Sequence, residues 1–356
     1  MQDSKAFEPP ETPTAAVMPG RERLDLLSVV LPAFNEAGNL SWFLPELASR
    51  LRDCAARLEL LVVDDGSSDE TALIVQGLIH QGLPVRLLRL SRNFGKEAAL
   101  TAGLDAALGN VVISMDADGQ HPIDTVLQML PDWRAGYDVV YGVQTGRRAS
   151  QPVLRRSYTR FFYWLMQRGS RFHLPADAGD FRLLDRRVVL ALRSLPERAR
   201  YMKGLFAWVG FKSKAIAFVP DPRTHGESHF HFSRLLSLAV TGLTAFSKVP
   251  LRLVSGLGLL VSAGSVFFGL WIVGEKVLFG NSPSGFATLA ASITFLAGVQ
   301  LLCLGIIAEY LGRVFDEVKQ RPLYVTQELT PPIPPMAPVL SGEASSTVPS
   351  TPAGTP

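Results

Sequence analysis

The stretch "NVVISMDADGQHP", Asn110 to Pro122, ends an apolar run in two aspartates one residue apart, followed by glycine, glutamine and histidine. Carboxylates at that spacing repel each other. One explanation is a helix N-terminus, because Asp favours caps and Pro122 suits the first helical position. The other is a divalent cation, which cancels the repulsion and seeks oxygen ligands of this kind. The tripeptide alone leaves both open, so the surrounding elements must decide.

Those elements alternate. "SVVLPA", "LELLVVDD", "PVRLLRL", "NVVISMD" and "YDVVYG" are short apolar runs that predict five strands. "NLSWFLPELASRL" and "KEAALTAGLDAAL" have helical spacing, and Ser67 or Ser68 with Asp69 and Glu70 behind it predicts another helix start. Strands alternating with helices indicate an α/β fold with a mainly parallel sheet covered on both faces. In such sheets ligands bind beyond the carboxyl ends of the strands. The first strand ends at "PAFNE", the second at "DDGSSDE" and the fourth at "DADGQ", so Glu36, Asp65, Asp116 and Asp118 converge on one edge. Four acids in one crevice call for a cation or a donor-rich ligand. A nucleotide diphosphate with Mg²⁺ or Mn²⁺ supplies both.

The chain of 356 residues has room for one large domain and an accessory part. A net charge of +3 is too small to argue for nucleic acid, and none is expected as a partner. Cys54 and Cys303 lie far apart in apolar segments, which fits reduced thiols. Residues 1–26 and the proline-, serine- and threonine-rich residues 329–356 read as disordered tails. Between them, residues 253–274 carry no charge over 22 positions, about 33 Å of helix, enough to cross a bilayer core. A second uncharged run predicts a membrane helix over 286–309, starting after "GNSPSG". Lys248 and Arg252 precede the pair, and Arg313, Lys319 and Arg321 follow it. The positive-inside rule then places both outer ends, and the large domain over 27–232, in the cytoplasm. From Arg147 to Arg171 seven arginines occur without an acid, interleaved with "FFYW", a pattern suited to a helix in the headgroup layer. The juxtamembrane segment over 233–252 reads the same way, and 310–328 reads as a cytoplasmic segment.

Taken in order, "VVLPAFNE", "LLVVDDGSSDET", "LSRNFGKEAALTAGLDAA" and "MDADGQHP" resemble family 2 glycosyltransferases of GT-A (Rossmann-like) fold. More narrowly they resemble the polyprenyl-phosphate glycosyltransferases, the group of dolichol-phosphate mannose synthases and bactoprenol glucosyltransferases. "GDFRLLDRRVV", "LPERARYMKGLFAWVGF" and "EYLGRVFDEVKQRPLY" extend the match over roughly Leu27 to Tyr324. The resemblance implies that Pro32, Ala33 and Glu36 line the base and ribose and that Asp65 binds the base through its carboxylate. It implies that Asp118 ligates the metal directly, that Asp116 shares the ribose and metal region, and that Gln120 is a further metal ligand. His121 reads as a turn residue. Where the family usually has lysine, this chain has His229, and Arg223 is a substitute for the pyrophosphate contact.

A sugar hydroxyl acceptor needs a base. A phosphate monoester, with a second pKa near 6, is already anionic and needs guanidinium groups to hold it. The chain shows no evident His–carboxylate base but many arginines. By resemblance, Arg148 and Arg182 contact the acceptor phosphate, with Arg147 a neighbouring alternative to Arg148. Asp180 reads as orienting Arg182 more readily than as a base. The expectation is an inverting transferase in the inner (cytoplasmic) membrane, moving a sugar from a nucleotide diphosphate donor to polyprenyl phosphate. UDP-glucose is favoured over GDP-mannose, and undecaprenyl phosphate is the expected acceptor. Membrane lipids are expected partners, and a homo-oligomer is compatible with the reading. A processive polysaccharide synthase would show more membrane helices and a Q-x-x-R-W motif. A scaffold with a degenerate nucleotide fold would not keep the acidic motifs intact.

Overall fold

In the computed structural model the described residues are 21, 23–145, 178–198, 200–221, 249–279 and 285–333. The five anticipated strands form: β1 Leu26–Ala33, β2 Arg57–Asp64, β3 Val85–Leu90, β4 Val111–Ser114 and β5 Val139–Gln144. Between them lie α1 Ala37–Leu51, α2 Thr71–His80, α3 Lys96–Ala106 and α4 Ile123–Arg134. Three strands were not anticipated: β6 Ala178–Asp185, β7 Ser213–Phe218 and β8 Thr326–Leu329. Helices α5 Arg186–Arg193 and α6 Met202–Trp208 separate β6 from β7.

The eight strands form one sheet in the order β7-β5-β6-β4-β1-β2-β3-β8. β1–β2, β1–β4, β2–β3 and β5–β7 pair in parallel, while β6 and β8 run against their neighbours. Strand alternation divides the core. Leu27, Val29 and Leu31 of β1 and Leu60 and Val62 of β2 face α1, α2 and α4. Val30, Leu61 and Val63 face α3, α5 and α6 on the other side. Burial on both faces explains why these strands are continuous apolar runs. Fully enclosed side chains such as Phe43 and Phe181 each stabilise the fold by about 1.5–3 kcal/mol.

Beyond the sheet come α7 Val249–Phe279 and α8 Phe286–Lys319, which touch one another. Each contains a span long and apolar enough to cross a membrane, 254–271 and 295–319. Their large side chains are bare, with Leu259 and Phe267 each 74% exposed. The helices outrun the uncharged stretches because their flanks also favour helix. α8 continues through Glu309–Lys319 until Gln320 turns left-handed at φ 49°.

The chain then returns to the sheet. β8 adds antiparallel to β3, with Thr326 opposite Leu90 and Leu329 opposite Leu88. Tyr324 donates its hydroxyl to Asp105 at 2.9 Å. Arg198 donates its backbone N–H to the Glu317 carboxylate at 2.8 Å and its guanidinium to the Arg321 carbonyl. Thr330 accepts from Arg86, which is itself buried against Glu59. Order therefore continues past position 329, where the composition pointed to a tail. At the other end Arg21, 8% exposed, donates to the Trp133 and Tyr137 carbonyls and to Asp138. One arginine fork in buried acceptors anchors a segment whose composition reads as disordered.

Candidate active site

All parallel strands point their carboxyl ends to one edge, and three turns meet there. In the first, the Glu36 carbonyl accepts from Asn39 and Leu40 to start α1, and the Glu36 carboxylate accepts from the Asn39 amide at 2.6 Å. Ala33 is 3% exposed and packs in the core, so toward a ligand it offers only backbone. Pro32 beside it is half-buried.

The second turn differs from expectation at its serines. α2 begins at Thr71, with Asp69 accepting from the Thr71 backbone and hydroxyl and from the Ala37 amide. Ser67 and Ser68 instead tie the turn to the first one through Asn35. They serve as inter-turn staples because their shared partner Asn35 lies in the turn after β1, which local sequence cannot show. Gly66 has φ +69° and a Cβ there would lie 2.4 Å from the Arg92 carbonyl carbon, so only glycine admits the third-strand loop. Asp65, buried, clasps that loop: Oδ1 accepts from the Phe94 N–H and Oδ2 from the Gly95 N–H, each at 2.8 Å. Burial pushes its pKa up against those two bonds.

The third turn is the acidic one. Asp118 Oδ1 accepts from the Gln120 N–H at 3.1 Å, and Gly119 takes φ +72° against the Trp42 ring. His121 is more than a turn residue. Its ring stacks on Phe181 at 4.5 Å and its Nδ1 accepts the Asp116 N–H at 3.0 Å, which assigns the proton to Nε2. Burial lowers its pKa and keeps it in that neutral form. The Gln120 carbonyl accepts from the Asp221 N–H, bringing the segment after β7 alongside. The bland helix-cap explanation fails, since neither aspartate caps α4, whose N-cap is Pro122.

The repulsion among the acids is relieved partly from within. Lys96, the first residue of α3, places Nζ 2.6 Å from Asp116 Oδ1 and 3.3 Å from Asp180 Oδ2. Burial opposes its charge, but the two carboxylates outweigh burial and raise its pKa. Burial works the other way on Asp116, where Lys96 prevails and the pKa falls. Sequence reading missed Lys96; the signal was a lysine at a helix N-terminus, where the macrodipole disfavours it. Asp180 does not orient Arg182 by an ion pair. Its carboxylate turns to Lys96, and the Arg182 Nε donates to the Gly179 carbonyl at 3.0 Å. Arg182 is 4% exposed, its guanidinium 4.4 Å from the Phe206 ring and 5.3 Å from that of Tyr141. Burial lowers its pKa to about 10, outweighing the opposing charge of Asp180. Arg147, Arg148, Arg223 and His229 lie outside the described residues, as do the arginine- and aromatic-rich segment expected in the headgroup layer and 233–248 of the juxtamembrane segment.

Among the described residues no three acidic, histidine or cysteine side chains close into a metal cage. Asp116, Asp118 and Gln120 supply oxygens on one turn, and Asp180 Oδ1 nearby is buried without a hydrogen bond. Such an open, oxygen-only set fits Mg²⁺ or Mn²⁺, which take one or two carboxylates and complete their shell with phosphate and water.

Known proteins agree with this architecture. A profile described as Glycosyl transferase family 2 matches residues 28–192. An uncharacterized glycosyltransferase of Synechocystis sp. is 40% identical over 303 residues, 85% of this chain and 95% of that protein. The SfII prophage-derived bactoprenol glucosyl transferase of Shigella flexneri is 37% identical over 302 residues, covering 85% and 97%. A prophage bactoprenol glucosyl transferase homolog of Escherichia coli is 35% identical over 303 residues, covering 85% and 99%. With three turns gathered at one sheet edge and this likeness along most of its length, the chain belongs to glycosyl transferase family 2 and is a glycosyltransferase.

Proposed function

We propose that the protein is a membrane-anchored, metal-dependent, inverting transferase that moves a sugar from a nucleotide diphosphate to polyprenyl phosphate at the cytoplasmic leaflet. UDP-glucose is the favoured donor and undecaprenyl phosphate the favoured acceptor; the relatives named bactoprenol glucosyl transferase support both the glucosyl group and the lipid. One geometric observation carries the reading. The chain leaves β7 at the sheet edge that holds the acidic turn, runs through two bare apolar helices, and re-enters at Thr326 on that same edge. Site and apolar hairpin therefore share one face of the domain.

Asp116, Asp118 and Gln120 would hold the cation, which when bound neutralises charge on the leaving diphosphate. Pro32, Glu36 and the Asp65-clasped loop would form the nucleotide side, with Arg223 and His229 toward the diphosphate. A carboxylate committed to Lys96, as Asp180 is, suits a reaction in which no hydroxyl proton has to be removed. Arg182, with Arg148 from the undescribed segment, would meet the acceptor phosphate; a buried guanidinium gains from an incoming anion.

The test is transfer of labelled glucose from UDP-glucose to a short prenyl phosphate and to the matching prenyl alcohol. Phosphate alone should serve, and Arg182→Ala should lose ten- to a hundredfold or more in kcat/KM, about 1.5–3 kcal/mol of charge-assisted bonding. Equal use of the alcohol would refute the lipid-phosphate acceptor.

A further inference from the structure

Lys96 stands where a lysine is costly. It opens α3, with its charge at the positive end of the helix dipole. Its ammonium nevertheless bridges Asp116, from the end of β4, and Asp180, from β6. The loop that delivers it is held by Asp65 through the Phe94 and Gly95 amides. Its side chain is 47% exposed, so the crevice has access to it.

We propose that Lys96 is a resident counter-ion that the donor's metal complex must displace from Asp116, so that the site admits metal together with a nucleotide diphosphate and resists free metal. The inference rests on the metal and nucleotide reading above and adds how the site selects its occupant. Before binding, the Lys96 ammonium is shared between the carboxylates of Asp116 and Asp180. A free divalent cation must pull Asp116 away from Lys96 and then sit beside a stranded positive charge. A diphosphate arriving with the metal supplies a new anionic partner for that ammonium. The four-carbon stem of lysine allows the move without shifting the backbone. A unit charge at such range shifts a neighbour's ionic equilibrium by roughly ten- to a thousandfold, and a divalent ion feels it at least as strongly.

The experiment titrates Mn²⁺ into the full-length, detergent-solubilised protein, following free Mn²⁺ by EPR, with and without UDP. Wild type should bind Mn²⁺ alone weakly and Mn²⁺ with UDP much more tightly. Lys96→Met should bind Mn²⁺ alone tenfold or more tighter than wild type while losing most of the gain from UDP. Lys96→Arg should restore the wild-type order. Lys96→Gln takes the place of the Met variant, with the same expectation, should that one not fold. A merely structural lysine would weaken metal binding when replaced, and an unchanged or weaker affinity for Mn²⁺ alone overturns the proposal. If wild type binds Mn²⁺ neither alone nor with UDP, the metal reading itself fails; if it binds Mn²⁺–UDP and Lys96→Met leaves free Mn²⁺ affinity unchanged, only the role of Lys96 fails.

Discussion

Asp65 separates two accounts of the nucleotide pocket. Family resemblance assigns its carboxylate to the base, whereas in the structure both oxygens accept backbone N–H groups of the Phe94–Gly95 loop. Asp65→Asn keeps the shape but turns one acceptor into an NH₂ that faces an N–H. One charge-assisted hydrogen bond is lost, about 1.5–3 kcal/mol, and a buried amide is left unpaired at about 1–3 kcal/mol. Relief of the buried charge, which the raised pKa reveals, returns part of this. A net loss of about 2–4 kcal/mol in loop anchoring is expected, or roughly 30- to 1000-fold in the opening equilibrium. Hydrogen exchange read at the Phe94 and Gly95 amides measures it directly, and UDP affinity should fall in parallel. If those amides stay as protected as in wild type while UDP binding collapses, Asp65 acts on the base and the clasp is incidental.

Two further outcomes follow from the same geometry. Burial, then the charge of Asp180, pushes Glu97 up to about 7 from 4.5, so the folded state binds the extra proton and its stabilising effect, complete below pH 4.5, is lost as pH rises through 7. Glu97→Gln, which still accepts the Met202 N–H, should therefore gain stability over wild type as pH rises from 5 to 8, on the order of 1–3 kcal/mol, read as a widening Tm difference; a flat or inverted difference would show that Glu97 is ionised at pH 5. For topology, a cysteine at Asn281 should react with an impermeant thiol reagent from outside intact cells, and one at Arg321 only after permeabilisation, with the reverse pattern excluding access to cytoplasmic donors.

How much of this was legible depended on where the information sits. The strands β1 to β5 were readable because burial on both faces leaves apolar runs. β6 was not, since "GDFRLLD" mixes charge with apolar residues while crossing between two core faces. β8 was invisible: "TQEL" has no apolar alternation, and the edge it covers is 236 residues earlier at Leu90. The acids of the site announced themselves at strand ends, but their partners did not. Lys96 meets Asp116 and Asp180, and His121 meets Phe181, only through the sheet order. Spacing thus locates the charges, and topology decides what neutralises them.

The same topology bears on how the proposed lipid acceptor would reach the site. β7 and β8 are the outermost strands, so the apolar hairpin is tied to both margins of the sheet. Lys319 and Thr326 are seven Cα steps apart, about 25 Å at full extension. Glu317 shortens that leash further, since its carboxylate already holds the Arg198 N–H at 2.8 Å. A foot pinned by Arg198 and a strap pinned by Tyr324 and β8 leave little room for the domain to swing over its helices. On the proposed reading, the flexible chain of a polyprenyl phosphate would itself bring the headgroup to the site. An acceptor phosphate drawn up to the carboxyl edge would then meet the buried guanidinium of Arg182, whose charge an arriving anion stabilises.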